Sequence, residues 1–197
     1  MTALLEAASA KRHREAFSAW ADVYDEQKNP LLMLEERFLL ELLPEVQDRD
    51  VLDTGCGTGR WLANLSWRFP RTLHGVDPSP EMLSRAAAKN IPDVELFPGS
   101  CTDIPAMDAA FDILLASFVL SYVDDLHSAA CELARVARPG ADLFLSDMHP
   151  ETAAALHWKR SFRNGEDEVE LPSIAKTLSE VLAAFEQNGF VDRKSVV

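Results

Sequence analysis

Cysteine is scarce in this chain: three in 197 residues, Cys56, Cys101 and Cys131, far apart from one another. An odd number without CxxC spacing builds neither a disulfide framework nor a zinc site, so no metal is expected, and the usage fits a reducing cytoplasm. Cations are also few, 19 Lys and Arg against 32 Asp and Glu, for a formal net charge of −13. Gripping phosphates requires clustered Lys and Arg, so this balance argues against nucleic acid as a partner. The one cationic run, Lys11-Arg12-His13-Arg14, reads as an exposed helix face. No apolar stretch approaches the about 18 residues that would suggest a membrane span. Glu6, Lys11, Arg12 and Arg14 interrupt any signal-peptide core at the start. Repeats and low-complexity tracts are absent.

What is there is a periodic alternation. Residues from about 3 to 26 read as helical, with Leu4, Leu5, Ala8, Phe17, Trp20 and Tyr24 as apolar positions, and Asn29-Pro30 breaks the pattern. A Leu-rich helix over Leu31–Leu43, carrying Glu35, Glu36, Arg37 and Glu41, is closed by Pro44. From residue 50 strands and helices take turns. Strands are expected at Asp50–Thr54, Thr72–Val76, Val94–Phe97, Phe111–Ser117 and Ala141–Ser146. Helices are expected at Arg60–Arg68, from Pro80 with Ser79 as N-cap, and at Leu126–Ala137 before Pro139-Gly140. Such alternation implies right-handed crossovers and an α/β, doubly wound, mostly parallel sheet with helices on both faces. Residues 151–173 have weak periodicity and read as a surface excursion. Ile174–Asn188 reads as an amphipathic helix stopped by Gly189, and Phe190 onward as the start of a last strand.

The chemistry concentrates at Val51-Leu52-Asp53-Thr54-Gly55-Cys56-Gly57-Thr58-Gly59-Arg60. A buried strand runs into a loop with glycine at alternate positions and then into a helix, an arrangement that lets backbone approach a nucleotide. A dinucleotide fingerprint needs G-x-G-x-x-G, and here Arg60 stands where the third glycine belongs. Asp53, on the strand just before the loop, would repel a pyrophosphate and suits a ligand with a cationic head. Asp77 closes the next strand, in His74-Gly75-Val76-Asp77-Pro78-Ser79, where an acidic residue accepts hydrogen bonds from ribose hydroxyls.

With these residues in register, the sequence resembles the class I S-adenosylmethionine-dependent methyltransferases, nearest to the small-molecule ubiquinone and menaquinone biosynthesis type. The resemblance spans about residues 15–190 and includes Ala21–Asp25, Val51–Arg60, Gly75–Leu83, Gly99–Pro105, Phe111–Asp125 and Glu132–Gly140. It implies a Rossmann-like fold in a single domain 1–197. Residues 1–44 would form a helical lid and 45–150 the cofactor-binding core. Residues 151–197 would hold a substrate-side excursion, the last helix and an edge strand. It implies that Asp53, Gly55 and Gly57 face the methionine end of S-adenosylmethionine, that Asp77 takes the ribose, and that Met82 packs near the adenine. Ser100, where the family usually has Asp, would bond the adenine amino group, and the Cys101 N–H a ring nitrogen. Tyr24, Cys56, Arg60, Pro78, Thr102, Ser117 and Phe118 complete the expected cofactor set.

Methyl transfer is an in-line displacement in which the protein positions the reactants and, where the acceptor must lose a proton, offers a base. His149 at a strand end is the first candidate base, followed by Tyr122 and Tyr24. His157, Trp158 and Arg163 are candidates to line the acceptor pocket. Ser121 stands where relatives often have His. The terminal hairpin strand of the family is expected to be absent, which leaves a sheet edge and an expectation of homodimers. The leading function is methylation of a small-molecule acceptor. Two alternatives are a cofactor-binding subunit or regulator without catalysis, and an NAD(P)-dependent oxidoreductase, the latter disfavoured by Arg60 and Asp53.

Overall fold

The computed structural model describes residues 15–27 and 29–194. The run Lys11–Arg14, the apolar positions Leu4, Leu5 and Ala8, and the last residues 195–197 lie outside them. Helix α1 covers residues 15–23, and α2 (Pro30–Leu42) follows, with Asn29 capping its N-terminus through its side chain. The core then runs β1 (Asp50–Thr54), α3 (Arg60–Ser66), β2 (Thr72–Asp77), α4 (Pro80–Ala88), β3 (Val94–Pro98), β4 (Phe111–Ser117), α5 (Leu126–Val136) and β5 (Ala137–Ser146). After these come α6 (Pro150–Ala155), a hairpin of β6 (Ser161–Asn164) and β7 (Asp167–Glu170), and α7 (Leu178–Gln187).

The five long strands are all parallel, in the order β3-β2-β1-β4-β5. The order reverses between β1 and β4, so a crevice opens beyond their carboxyl ends, where open α/β sheets bind ligands. Every residue of β1 is buried, as expected of a strand covered on both faces. Alternation sorts its side chains. Leu52 joins Leu114, Leu133, Ala184 and Phe185 on the α5/α7 side, while Val51 joins Leu39, Trp61, Leu62, Ile113 and Leu115 on the α2/α3 side. Asp53 shares the face of Val51, and Ser117 that of Ile113 and Leu115. The same alternation therefore directs the functional ends of β1 and β4 towards α2 and α3.

Four sequence expectations change. The helix expected from Ile174 starts at Leu178, because Thr177 and Glu180 form a capping box; the residues before it stay extended, with the Ile174 N–H on the Ser121 carbonyl. The excursion at 151–173 contains α6 and the β6–β7 hairpin, which buries Phe162 and Leu171. Those two residues are too widely spaced to register as a pattern. Residues 191–194 form no strand, so among the described residues β5 remains a sheet edge. Strand β5 begins at Ala137, not Ala141, with an irregular register against β4 that absorbs Pro139-Gly140.

Candidate active site

The glycine loop is shaped from behind by β2. The Gly55 and Cys56 N–H groups donate to the Val76 carbonyl at 2.7 and 3.1 Å, and the Gly57 N–H to Asp77 Oδ2 at 2.8 Å. These amides therefore hold the loop to the sheet. Gly55 has φ +68°, and a Cβ there would lie 2.3 Å from Val119 Cγ2. Close packing of α3 on the sheet falls to Gly75 of β2, where a Cβ would meet Leu62 Cδ1 at 2.6 Å. The missing third loop glycine is thus answered from the neighbouring strand.

Asp53 is 1% exposed, and its Oδ1 has no hydrogen-bond partner among the described residues. Burial pushes its carboxyl up to about 8, with Glu35 and Asp77 adding to the effect and Arg60 opposing it. Arg60, at the start of α3, carries the matching orphan, a buried Nη1 without a hydrogen bond, 3.6 Å from Glu36. Burial opposes its charge, but the Glu35 carboxylate outweighs this and raises the guanidinium above its ordinary value. A third orphan, the Thr54 hydroxyl, lies on the opposite face of β1.

Glu35 joins this end of the sheet together. Its side chain is 7% exposed and accepts from Arg60 Nη2 at 2.5 Å, Ser146 at 2.6 Å, Ser117 at 2.7 Å and Trp61 Nε1 at 3.3 Å. Sequence reading took it for one polar residue among several on an amphipathic helix. No local signal distinguishes it from Glu36 or Glu41; only the docking of α2 over β4 and β5 does.

Asp77 is buried, and its carboxyl is raised by burial against the pull of the Ser79 and Gly57 amides. Each oxygen keeps a second lone pair for an outside donor. Met82 is 2% exposed in the first turn of α4, beneath the Ser79 cap, while Pro78 faces outward. Ser100 and Thr102 bond each other at 2.9 Å, and Ser100 and Asp103 pair through their backbones, which shapes a tight turn. Within it, no backbone carbonyl of the described residues takes the Cys101 N–H. Burial pushes the Cys101 thiol to about 11 and raises Cys56 further, so neither is a thiolate at neutral pH.

Helix α1 closes over this site. Asp25 accepts from Thr58 Oγ1 at 2.8 Å and Lys89 Nζ at 2.9 Å, and Asp22 from Arg85 at 2.6 Å. The Tyr24 phenol is pushed up to about 12 by burial, partly offset by a hydrogen bond with Arg60. Tyr122 is raised too, by burial first, against the pull of Arg160. Both phenols therefore stay protonated, their oxygens accepting from Arg60 and Arg160, which makes them poor bases.

On the acceptor side, beyond β4 and β5, Asp147 accepts from the Ser121 N–H at 2.9 Å and hydroxyl at 2.8 Å and pairs with Arg160. His149 is the N-cap of α6 and half-buried, and its ring makes no hydrogen bond among the described residues. His157, Trp158 and Arg163 face outward; the charged residue of that segment that turns inward, beside the buried Phe162, is Arg160. Phe118 takes φ +55° at the end of β4, a backbone state uncommon for a side chain of its size. No helix of the described residues is long and apolar enough to cross a membrane, and among them no cluster could hold a metal ion.

A parallel sheet of this order, with a glycine loop at its switch point between a buried carboxyl and a buried guanidinium, has the layout of a nucleotide-type cofactor fold. Residues 52–145 match the family model described as a methyltransferase domain. The chain is 30% identical over 182 residues to the demethylmenaquinone methyltransferase of Tropheryma whipplei, covering 88% of this chain and 72% of that one. It is 36% identical over 108 residues to the trans-aconitate 2-methyltransferase of Deinococcus radiodurans, covering 54% of this chain and 41% of that one. Among solved structures it is similar to an S-adenosylmethionine-dependent methyltransferase from Mesorhizobium loti, with TM-score 0.67, 21% identity and coverage of 80% and 81%. A DhpI–SAH complex gives TM-score 0.71 at 21% identity, covering 91% and 86%. The chain belongs to the class I S-adenosylmethionine-dependent methyltransferases. The cofactor of that family is S-adenosylmethionine, and the dinucleotide alternative falls away.

Proposed function

We propose that this chain transfers the methyl group of S-adenosylmethionine to a small-molecule acceptor, in the crevice beyond β1 and β4. The observation that carries the reading is the pair of buried orphan atoms, Asp53 Oδ1 and Arg60 Nη1, at the two ends of one glycine loop. They fit the amino and carboxylate groups of a methionine moiety. The two lone pairs left on Asp77 fit ribose hydroxyls, and the turn at Ser100–Thr102, with the Cys101 N–H, fits an adenine edge. When bound, the cofactor supplies a methyl group on a sulfonium, whose displacement returns the S–C bond pair to sulfur.

The chain's own residues then do three things. Asp53, Arg60 and Asp77 bind and orient. Helix α1, held by Asp25 and Asp22, excludes water, which strengthens every charge interaction beneath it. On the acceptor side His149, whose ring makes no hydrogen bond among the described residues, is the candidate base where an acceptor must lose a proton. Tyr24 and Tyr122 serve as hydrogen-bond donors. The edge of β5 further supports pairing of copies, which light scattering checks.

Calorimetry with S-adenosylhomocysteine and methyl-transfer assays with labelled cofactor test the reading. Saturable binding lost in Asp53→Ala supports it, and absence of binding by the intact chain would sink it. Binding without turnover of any acceptor would favour a non-catalytic subunit instead.

A further inference from the structure

The acceptor side holds a charged group that cofactor binding does not use. Arg160 lies just ahead of β6, and its side chain is 16% exposed. Asp147 and the Ser121 hydroxyl, the latter at 2.8 Å, both engage the same nitrogen, Nη2. The Tyr122 phenol oxygen also accepts from the guanidinium, while among the described residues no carboxylate or carbonyl takes an N–H of Nε or Nη1. A guanidinium has five N–H donors, so with Asp147, Ser121 and Tyr122 served two remain. The group also lies over two rings, 5.4 Å from the centroid of Tyr122 and 5.9 Å from that of Phe118. Those contacts, with Asp147 and Ser121, fix the plane of the fork.

The location decides what the fork can meet. Phe118 follows Ser117, which already touches Arg60 and Glu35, and Tyr122 is close enough to Tyr24 to raise its pKa. Arg160 therefore faces the same crevice as the cofactor residues, from its far side. Helix α1 covers it with aromatic surface: Phe17 meets the Tyr122 ring edge-on at 5.0 Å, and Trp20 stacks on Phe162 of β6 at 5.9 Å. An oriented arginine between ring faces, with N–H groups to spare and little water, suits an anion attached to an apolar body.

We propose that Arg160 receives a carboxylate on the methyl acceptor, so that the substrates of this chain are organic acids with an apolar body. The inference rests on the methyltransferase reading of the same crevice. Asp147 and Ser121 are positioning residues: they hold Nη2 and leave the spare N–H groups of the guanidinium to the acid. The Tyr122 phenol, protonated beside the guanidinium, stands near enough to donate a further hydrogen bond to the anion. Recognition is separate from the bond that forms, and the carboxylate serves as the handle by which the acceptor is held.

The test uses the full chain saturated with S-adenosylhomocysteine and matched probes: benzoate, cinnamate, succinate and octanoate, each against its amide. Ligand-observed NMR titration is expected to show at least one acid binding about tenfold or more tighter than its amide. Arg160→Met is expected to erase that preference while leaving the affinity for S-adenosylhomocysteine intact. Arg160→Lys, which keeps the charge but not the fork, is expected to recover part of it. Equal binding of acid and amide by the wild-type chain, or no acid bound at all, overturns the proposal even if the variants fail to fold. So does Arg160→Met lowering melting temperature and S-adenosylhomocysteine affinity without touching acid preference, which would make Arg160 a latch for the hairpin. Failure of S-adenosylhomocysteine itself to bind overturns the methyltransferase reading instead.

Discussion

At the scale of single residues, Asp53 ties function to a cost in stability. Its carboxyl is raised to about 8 in the folded chain, by burial first and then by Glu35 and Asp77. The folded state therefore holds that proton more tightly than the unfolded state does. The stability this supplies is fully present below the ordinary carboxylate range and is lost as pH rises through about 8. In thermal melts, the melting temperature of Asp53→Asn relative to wild type is expected to climb steadily from pH 5 to pH 9. A gap that stays constant would refute the assignment. A cationic ligand group should in turn expel the proton. Calorimetry of S-adenosylhomocysteine binding near pH 7 is then expected to show heats that differ between phosphate and Tris, and the difference should vanish in Asp53→Asn. Glu35 makes the complementary case. Glu35→Ala removes the carboxylate partner of Arg60 and the acceptor of Trp61 Nε1 and the Ser117 and Ser146 hydroxyls, and chemical denaturation should register a loss of about 1–3 kcal/mol. Cofactor affinity should fall with it, because Arg60 loses the anchor that places its Nη1. Asp53 was legible in the sequence because its position relative to the glycines is a one-dimensional fact. Glu35 and Arg160 were not, because each is defined by partners from distant segments: Ser117 and Ser146 for one, Asp147 and Ser121 for the other.

At the scale of elements, α1 and the turn after it dock on the core through few buried contacts. Their contacts to the core combine exposed ion pairs, such as Asp22 with Arg85, with the partly sheltered Asp25–Thr58–Lys89 set and ring contacts. Exposed pairs contribute little each, so α1 belongs to the low-stability end of the molecule. Asp25→Ala is expected to speed hydrogen exchange across residues 15–23 and to weaken S-adenosylhomocysteine binding several-fold, with the melting temperature of the core unchanged. Unaltered exchange in α1 would show that the aromatic contacts alone hold it. Helix α7 is different, since its start is set locally. Removing the capping box with Thr177→Ala should destabilise the chain by about 1 kcal/mol in urea titrations. The misplaced start expected at Ile174 has a plain cause: Ile174 continues the apolar spacing, but periodicity does not register the hydroxyl that ends it.

At the scale of the whole molecule, the two ends of the sheet have opposite tasks. The carboxyl end keeps unpaired polar atoms, whereas the amino end is fully clamped. There Asp50 accepts from Arg71 Nε and Thr72 at 2.8 Å each, and Arg138 bridges Asp50 at 2.6 Å and Asp112 at 2.8 Å. Four strands are tied at one point. Hydrogen bonds from Arg71, Arg138 and Thr72 hold the Asp50 carboxyl well below the ordinary range, against its burial. That stability is present above the ordinary carboxylate range and is lost as pH falls below it. Asp50→Ala is expected to lower unfolding free energy by about 1–3 kcal/mol, measured in urea at pH 7. S-adenosylhomocysteine affinity should not change, and a parallel loss of affinity would show that the clamp also shapes the site.

The amino-acid sequence by itself determined the alternation of strands and helices, the place of the glycine loop and the two strand-end acids, Asp53 and Asp77, beside it. Each of these is written in local spacing: period 2 against period 3.6, glycine where backbone must bend, and carboxylate at a strand end. Tertiary structure alone decided the strand order and the inward turn of Arg160 from a segment without pattern. It also decided the burial of Glu35 and which atoms of Asp53 and Arg60 find no hydrogen-bond partner among the described residues. Those depend on which distant side chains arrive to satisfy a polar group and which do not. Desolvation and hydrogen bonding are set by neighbours in space, and no spacing along the chain encodes them.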